Sequence, residues 1–273
     1  MKSINLKDLN NFELQTLLQT AIAPRPIALA STIGKNGNIN LSPFSFFNIF
    51  SSNPPVVIFS PARRVRDNTT KHTLENLLEV PEVVIGNVNF DMVQQVSLAS
   101  TEYEENVNEF IKAGLTMKKA DLVKPPLIVE SPVNMECKVL EIKHLGKKGG
   151  AGNLIICEVL KVHVREEFLD ENEKLDQTKL NLVSRLGGNW YGKTSPETLF
   201  QVPKPLVTKG IGYDQLPNEI KNSTIFTGND LGMLANIEEL PKGNFSSDLE
   251  IHKNARTLLL ESKINEAWEI LKK

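Results

Sequence analysis

Residues 41–60 read LSPFSFFNIFSSNPPVVIFS. Phe44, Phe46 and Phe47 stand within four positions, and Ser42, Ser45 and Asn48 are threaded among them. A core strand has no use for the Ser and Asn, and a surface loop has no use for the Phe. The mixture suits a segment lying against something both flat and polar. Small side chains let a backbone approach closely, exposed N–H groups donate, and Phe supplies an apolar wall. A core strand whose Ser residues satisfy a bulge fits the spacing equally well.

Working outward, the period of the pattern changes at Pro24 and Pro26, which stop any helix. Before them, Leu9, Phe12, Leu14, Leu17 and Leu18 fall near helical spacing, so residues 7–20 are expected to form an amphipathic helix. After them, Ile27–Thr32 reads as a strand, the GKNG of Gly34–Gly37 as a turn, and a second strand starts at Ile39. That hairpin leads into the quoted stretch as an irregular strand, and Val56–Ser60 is the next regular one. A helix follows with Thr73 as its N-cap and Leu74, Leu77 and Leu78 on one face. Val83–Val88 is a strand, and helices are expected over 91–99 and 104–113. MECKVLEIKHL and LIICEVLKVHV flank GKKGGAGN as a second hairpin, and LVSRLGGNWYGK makes a Gly-rich turn at Arg185. Hairpins with inserted helices point to a mainly β protein, an antiparallel barrel with peripheral helices, and not to a doubly wound sheet. From about Pro203 the texture turns polar and irregular. Residues 249–273 carry Ile251, Leu258, Leu259, Ile264, Trp268 and Ile270 as one amphipathic helix.

Bulk numbers narrow the function. The chain has 273 residues, 40% of them hydrophobic and 23% charged, enough for a core without disulfides. Cys137 and Cys157 each lie in a strand-like run and read as reduced core residues; no metal site is expected from them. A net charge of −2 carries no nucleic-acid footprint. No apolar run resembles a signal peptide or a membrane span, so a cytoplasmic, soluble protein is expected. The chain holds no Walker phosphate loop, no GxGxxG leading from a strand into a helix, no HExxH and no GxSxG. His72, His144, His163 and His252 are scattered, and none is assigned a catalytic role. ARRVRDNTTKHT differs: Arg63, Arg64, Arg66 and Lys71 lie within nine residues of one another, just before the helix that starts near Thr73. Cations, a hydroxyl and free helix amides together make an anion site.

Four blocks, APRPIALAST, NLSPFSFFNIFSSNPPVVIFS, KHTLENL and VSRLGGNWYG, resemble in this order the flavin reductase-like proteins, a family of FMN-binding split-barrel flavoproteins. The resemblance covers roughly residues 8–203. It implies a split β-barrel with Greek-key order, in a domain of residues 1–203, and a homodimer. Residues 204–273 form a C-terminal extension outside the resemblance, expected to pack on the barrel or the dimer mate. FMN is the implied cofactor, ahead of FAD. Its ring would meet Thr32, Ser42, Phe44, Ser45, Phe46, Phe47 and Asn48, and its phosphate Arg63, Arg66, Lys71 and Thr73. Where the family commonly shows Lys-Asp-Thr, this chain has Lys71-His72-Thr73. Arg185, Gly188 and Tyr191 would bring another barrel edge to the flavin or the dimer mate. The implied activity is hydride transfer from NAD(P)H to flavin N5, which needs no side-chain acid or base, so no catalytic residue is assigned. The alternatives are an FMN electron carrier of flavoredoxin type, serving an acceptor protein, and an oxidase related to pyridoxamine-phosphate oxidase.

Overall fold

The computed structural model describes residues 1–205 and 208–272; Leu206, Val207 and Lys273 of the extension lie outside the described residues. Eleven strands are described: β1 Ala28–Ile33, β2 Ile39–Phe44, β3 Phe47–Ser52, β4 Pro55–Phe59, β5 Glu82–Asn87, β6 Met117–Lys118, β7 Leu127–Ile128, β8 Val133–His144, β9 Asn153–Val164, β10 Val183–Arg185 and β11 Tyr191–Lys193. The helices are α1 Asn11–Ala21, α2 His72–Glu79, α3 Val93–Ala99, α4 Glu109–Ala113, α5 Gln177–Leu180, α6 Asn218–Lys221, α7 Gly228–Ala235, α8 Leu249–Leu260 and α9 Ile264–Leu271. The chain divides into two compact units, Met1–Leu199 and Phe200–Lys273.

In the first unit, seven strands pair antiparallel in the order β2-β1-β5-β8-β9-β4-β3. Laid flat, the two edges of such a sheet would stand about 29 Å apart, at about 4.8 Å per strand spacing. Yet the edge strands β2 and β3 are consecutive in the chain, joined only by Ser45 and Phe46. Three Cα steps reach at most about 11 Å. The sheet therefore curls until its edges converge at that corner. No backbone pairing between β2 and β3 closes the seam among the described residues. The result is a split β-barrel.

Period-2 alternation divides the core. Ala28, Ala30, Phe44, Val57, Phe59, Val83, Ile85, Cys137, Ile155 and Cys157 come from six strands and fill the barrel, with Leu74 and Leu77 of α2 closing it. The intervening residues Leu29, Leu41 and Val84 face outward and are covered by Met92, Val96 of α3 and Phe110 of α4. Phe44 and Phe59 meet inside the barrel with ring centroids 5.4 Å apart. Both cysteines are free and buried, and burial pushes the Cys137 thiol up to about 12. They are core residues, as their setting in the sequence implied.

Four elements differ from the sequence reading. The quoted stretch is not one irregular strand. It is two strands, β2 and a β3 bulged between Ile49 and Ser51, with a cis Asn53–Pro54 turn into β4. Helix α1 starts only at Asn11, where Asn10 and Glu13 form a capping box. The helix expected over 104–113 shrinks to α4, because Asn106 sits at φ +74° and the Asn108 side chain caps Phe110 N–H. The expected terminal helix is two helices, α8 and α9, broken where Ser262 takes φ +60°.

The second unit has its own core, built from α6 to α9 around Ile220, Leu234, Leu259 and the fully buried Trp268. Trp268 Nε1–H donates to the Leu234 carbonyl at 3.2 Å. Among the described residues no helix is long and apolar enough to cross a membrane.

Because Phe59 is fully buried against Phe44 beside the converging edges, Phe59→Ala is expected to cost about 3–5 kcal/mol. Urea unfolding of the variant measures this; a loss under about 1 kcal/mol would mean the corner is not packed as described.

Candidate functional site

The loop between β4 and α2 is shaped by its own side chains and by the β8–β9 hairpin tip. Asp67 accepts from Thr69 Oγ1 at 2.6 Å and Thr69 N–H at 3.0 Å, and these bonds hold its carboxyl at about 2. Arg63 Nε donates to Asn68 Oδ1 at 2.8 Å. The tip joins the loop by backbone bonds, Arg63 N–H to Ala151 O at 2.8 Å and Gly150 N–H to Arg63 O at 2.9 Å. Gly149 is needed there: a Cβ would lie 2.9 Å from the Arg64 carbonyl oxygen and 3.0 Å from Val65 Cα. The glycine-rich tip is thus a brace for the loop.

That brace presents a small cleft lined by Asn40, Ser42, Arg64, Lys71, His72, Thr73, Ser100, Thr101, Glu102, Tyr103 and Glu109. Arg64 donates from Nη1 to Thr69 Oγ1 at 3.0 Å and to the Thr70 carbonyl, and its Nε pairs with Glu102 at 3.0 Å. Lys71 is half-buried and has no carboxylate partner among the described residues. Burial, then the Arg64 charge beside it, pulls its pKa down. Thr73 is not the N-cap. Lys71 holds that position, and no side chain caps α2; Leu74 N–H donates to the Lys71 carbonyl at 2.9 Å, which leaves the His72 and Thr73 amides uncapped. The Thr73 hydroxyl instead donates to Asn40 Oδ1 at 3.2 Å. Behind it, buried Glu109 accepts from Leu41 N–H at 2.9 Å and Asn40 Nδ2 at 3.2 Å.

The other expected residues are spread over three places. Ser45 and Phe46 form the β2–β3 corner, where the Phe46 carbonyl accepts from Ser60 N–H at 2.9 Å. Phe46 is 41% exposed, whereas the rings of Phe44 and Phe47 pack on the barrel core. Asn48 is exposed, its Oδ1 accepting from Ile49 N–H. Thr32 is buried and accepts from Asn76 Nδ2 at 3.2 Å. Arg63 is spent on Asn68, and exposed Arg66 pairs with Asp67 and Glu102 at the rim. Arg185 closes its own turn, donating to the Gly188 and Trp190 carbonyls at 2.9 and 3.2 Å with its guanidinium 4.5 Å over Tyr191. That turn is tied to Arg25 by paired backbone bonds, not to the cation cleft. The sequence reading assigns no role to Ser100, Thr101 or Glu102, which reach the cleft from after α3 and carry no local signal. Nor does it assign one to Arg25, which stands between two prolines.

Two cations, the hydroxyls that line the cleft and the uncapped His72 and Thr73 amides of α2 suit a phosphate monoester. The carboxylate of Glu102 already rests on Arg64 and Arg66, so these guanidiniums do accept an anion. The corner of Ser45 and Phe46 begins three residues after Ser42 in the chain and offers a partly apolar face.

Comparisons with known proteins agree on the kind of molecule this is. A family model described as the flavin reductase like domain matches residues 20–181. An uncharacterised protein of Aquifex aeolicus is 36% identical over 197 residues, which cover 72% of this chain and 98% of that one. Nitrilotriacetate monooxygenase component B from Bacillus cereus superposes with a TM-score of 0.69 at 28% identity, over 74% of this chain and 98% of its own. A split-barrel protein from Shewanella frigidimarina, 23% identical, shares the fold with a TM-score of 0.62 over 73% of this chain and 96% of its own.

Burial raises the Glu109 pKa despite the hydrogen bonds it accepts. The folded protein therefore holds this proton when the unfolded chain has released it. The stability it contributes is complete below the unfolded value of about 4.3 and is lost as pH rises through the folded value. Glu109→Gln keeps an acceptor oxygen without the proton, so its urea-unfolding free energy is expected to lack that fall. Parallel pH curves for the two proteins would contradict the assignment.

Proposed function

The chain belongs to the flavin reductase-like family, and from that premise we propose that it binds FMN and takes reducing equivalents from NAD(P)H onto it. The observation carrying this reading is the cleft where Arg64 and Lys71 face the uncapped first turn of α2, next to the β2–β3 corner. Lys71, Arg64, Thr73 and the α2 amides would hold the phosphate. Ser42 would hydrogen-bond beside it, and Ser45 and Phe46 would flank the ring. Bound flavin supplies the chemistry, accepting hydride from a nicotinamide. The protein's part is to bind, orient and screen. No carboxylate pairs directly with Lys71 among the described residues, so a phosphate there would add to the negative charge that Glu102 supplies from a distance. Glu102 would yield or share Arg64. Beyond the cleft, Asn40, His72 and Glu75 line a second polar cleft without a further arginine or lysine. A second phosphate finds no cation there, which favours FMN over FAD.

A homodimer is part of the same reading. Edge strand β3 leaves Ile49 and Phe50 66% and 63% exposed, and an apolar edge of this kind suits pairing with a second copy. The likeness to a monooxygenase component supports an electron-acceptor protein as a further partner.

FMN titration followed by flavin fluorescence tests the cleft. Lys71→Met is expected to weaken binding about 10- to 100-fold, the worth of one charge-assisted contact to phosphate. FMN affinity should also fall with rising pH in the native protein, because Lys71 loses its proton earlier than an ordinary lysine. Unchanged affinity in the variant would place the phosphate elsewhere.

A further inference from the structure

The outer face of the β8–β9 ladder gathers a group of side chains that flavin binding leaves unused. Glu136 on β8 stands across from Lys161 on β9, and Asn134 from His163, so Glu136, Lys161 and His163 share one face of the ladder. The segment between β6 and β7 folds over that face, with Ala120 and Val123 buried in the outer core. One carboxylate pins it there. Glu136 Oε1 accepts from Asp121 N–H at 3.0 Å, and Oε2 accepts from Leu122 and Val123 N–H at 2.6 and 3.0 Å. These bonds bring Asp121 to the group.

Glu136 is fully buried. Burial opposes its charge, yet the three amides and His163 outweigh burial and hold the carboxyl below its usual range. His163 Nε2 lies 2.5 Å from Oε1, and its Nδ1 has no partner among the described residues. The imidazole is partly exposed and also lines an open recess with Lys118 and Arg165. Lys161 Nζ sits on Asp121 Oδ2 at 2.5 Å. One ligand atom from each of Asp121, Glu136 and His163 lies within 4.8 Å of the other two. A zinc ion holds nitrogen and oxygen ligands at about 2.0–2.2 Å, hence about 3.3 Å from one another. Rotation of the His163 and Asp121 side chains, both partly exposed, covers the difference.

We propose that Asp121, Glu136 and His163 bind a divalent transition-metal ion of the zinc type. The ion takes the place of the proton between Nε2 and Oε1, and the imidazole carries its proton on Nδ1 instead. Oε1 keeps its second lone pair for Asp121 N–H. Two carboxylates and a neutral imidazole balance a charge of 2+, and the nitrogen donor favours zinc, cobalt or nickel over magnesium and calcium, which take oxygen ligands. Two ligands stand on paired strands, and the third stands on a segment that Glu136 itself holds, so the set is preorganised. The recess beside His163 leaves a fourth position to water and gives the ion a way in. Lys161 is the rival cation for Asp121. Its side chain is 44% exposed, so it can swing out to solvent.

The test is calorimetric titration of Zn²⁺ into the full chain without an affinity tag, with Mg²⁺ as control. One zinc ion per chain is expected, with Mg²⁺ at least about 100-fold weaker. Asp121→Asn and His163→Gln should each weaken zinc about tenfold or more, and His163→Gln keeps a donor for Glu136. Lys161→Met removes the rival cation and should tighten zinc about tenfold, a gain that an ion-pair network holding the segment would not give. Co²⁺ in place of zinc should show visible absorption bands that His163→Gln alters. Glu136 is left intact, because its loss would free the segment, and urea unfolding of each variant checks that the fold persists. Zinc affinity unmoved by Asp121→Asn and His163→Gln would put the ion elsewhere on the chain and overturn the site. Absence of zinc binding, or weaker binding in Lys161→Met, would leave the group as an ion-pair network alone. FMN plays no part in these measurements, so they read the site whatever becomes of the flavin reading.

Discussion

Two residues, Ser45 and Phe46, tie one edge of a seven-stranded sheet to the other. Edges that a flat sheet would hold about 29 Å apart must come within about 11 Å. Everything else in the first unit accommodates that tether. The sheet curls, its concave face becomes a core, and small residues such as Ala28 and Ala30 of β1 suit the tight interior. The outer face still needs cover, which α3 and α4 provide. Among the described residues the seam stays open, and the corner leaves Phe46 half-exposed.

The tether also explains why aromatic and polar residues crowd together in one stretch. Phe44 ends β2 and points into the barrel against Phe59, whereas Phe46, two positions on, lies in the turn and lines a groove beside α1. In a continuous strand those two rings would share a face. The corner breaks the alternation and splits the Phe residues between core and surface. The loop after β4 is then held in place by the hairpin tip at Gly149 and Gly150, which sends Arg64 to one side and Val65 to the other. Two recesses of opposite character, one cationic and one apolar, arise from adjacent residues.

Much of the barrel was legible in the sequence because local chemistry decides it. GKNG and GKKGGAGN announce their hairpins, and the continuous apolar run of β5 and the alternation in the first half of β9 match their burial. Four ordered blocks of sequence carry the family resemblance. Strand β3 was not legible, since its Ile49 and Phe50 are exposed and its pattern carries no buried face to read. The α2 cap was misread because a Thr near a helix start looks like a cap, although here its hydroxyl serves Asn40 from inside the helix. Long-range convergence was the largest gap. Ser100, Thr101 and Glu102 enter the cleft from a segment some thirty residues on, and Arg25 reaches both the end of α1 and the Leu186 carbonyl. Nothing in the neighbours of these residues along the chain could show that.

The most direct measurement is an anaerobic visible spectrum of the FMN-loaded protein, recorded before and after adding NADH and, separately, NADPH. The account predicts that the flavin's long-wavelength absorption bleaches within seconds of adding one of them, with the faster nucleotide identifying the donor. Flavin that stays oxidised with both nucleotides, yet bleaches with dithionite, would contradict hydride transfer by this protein.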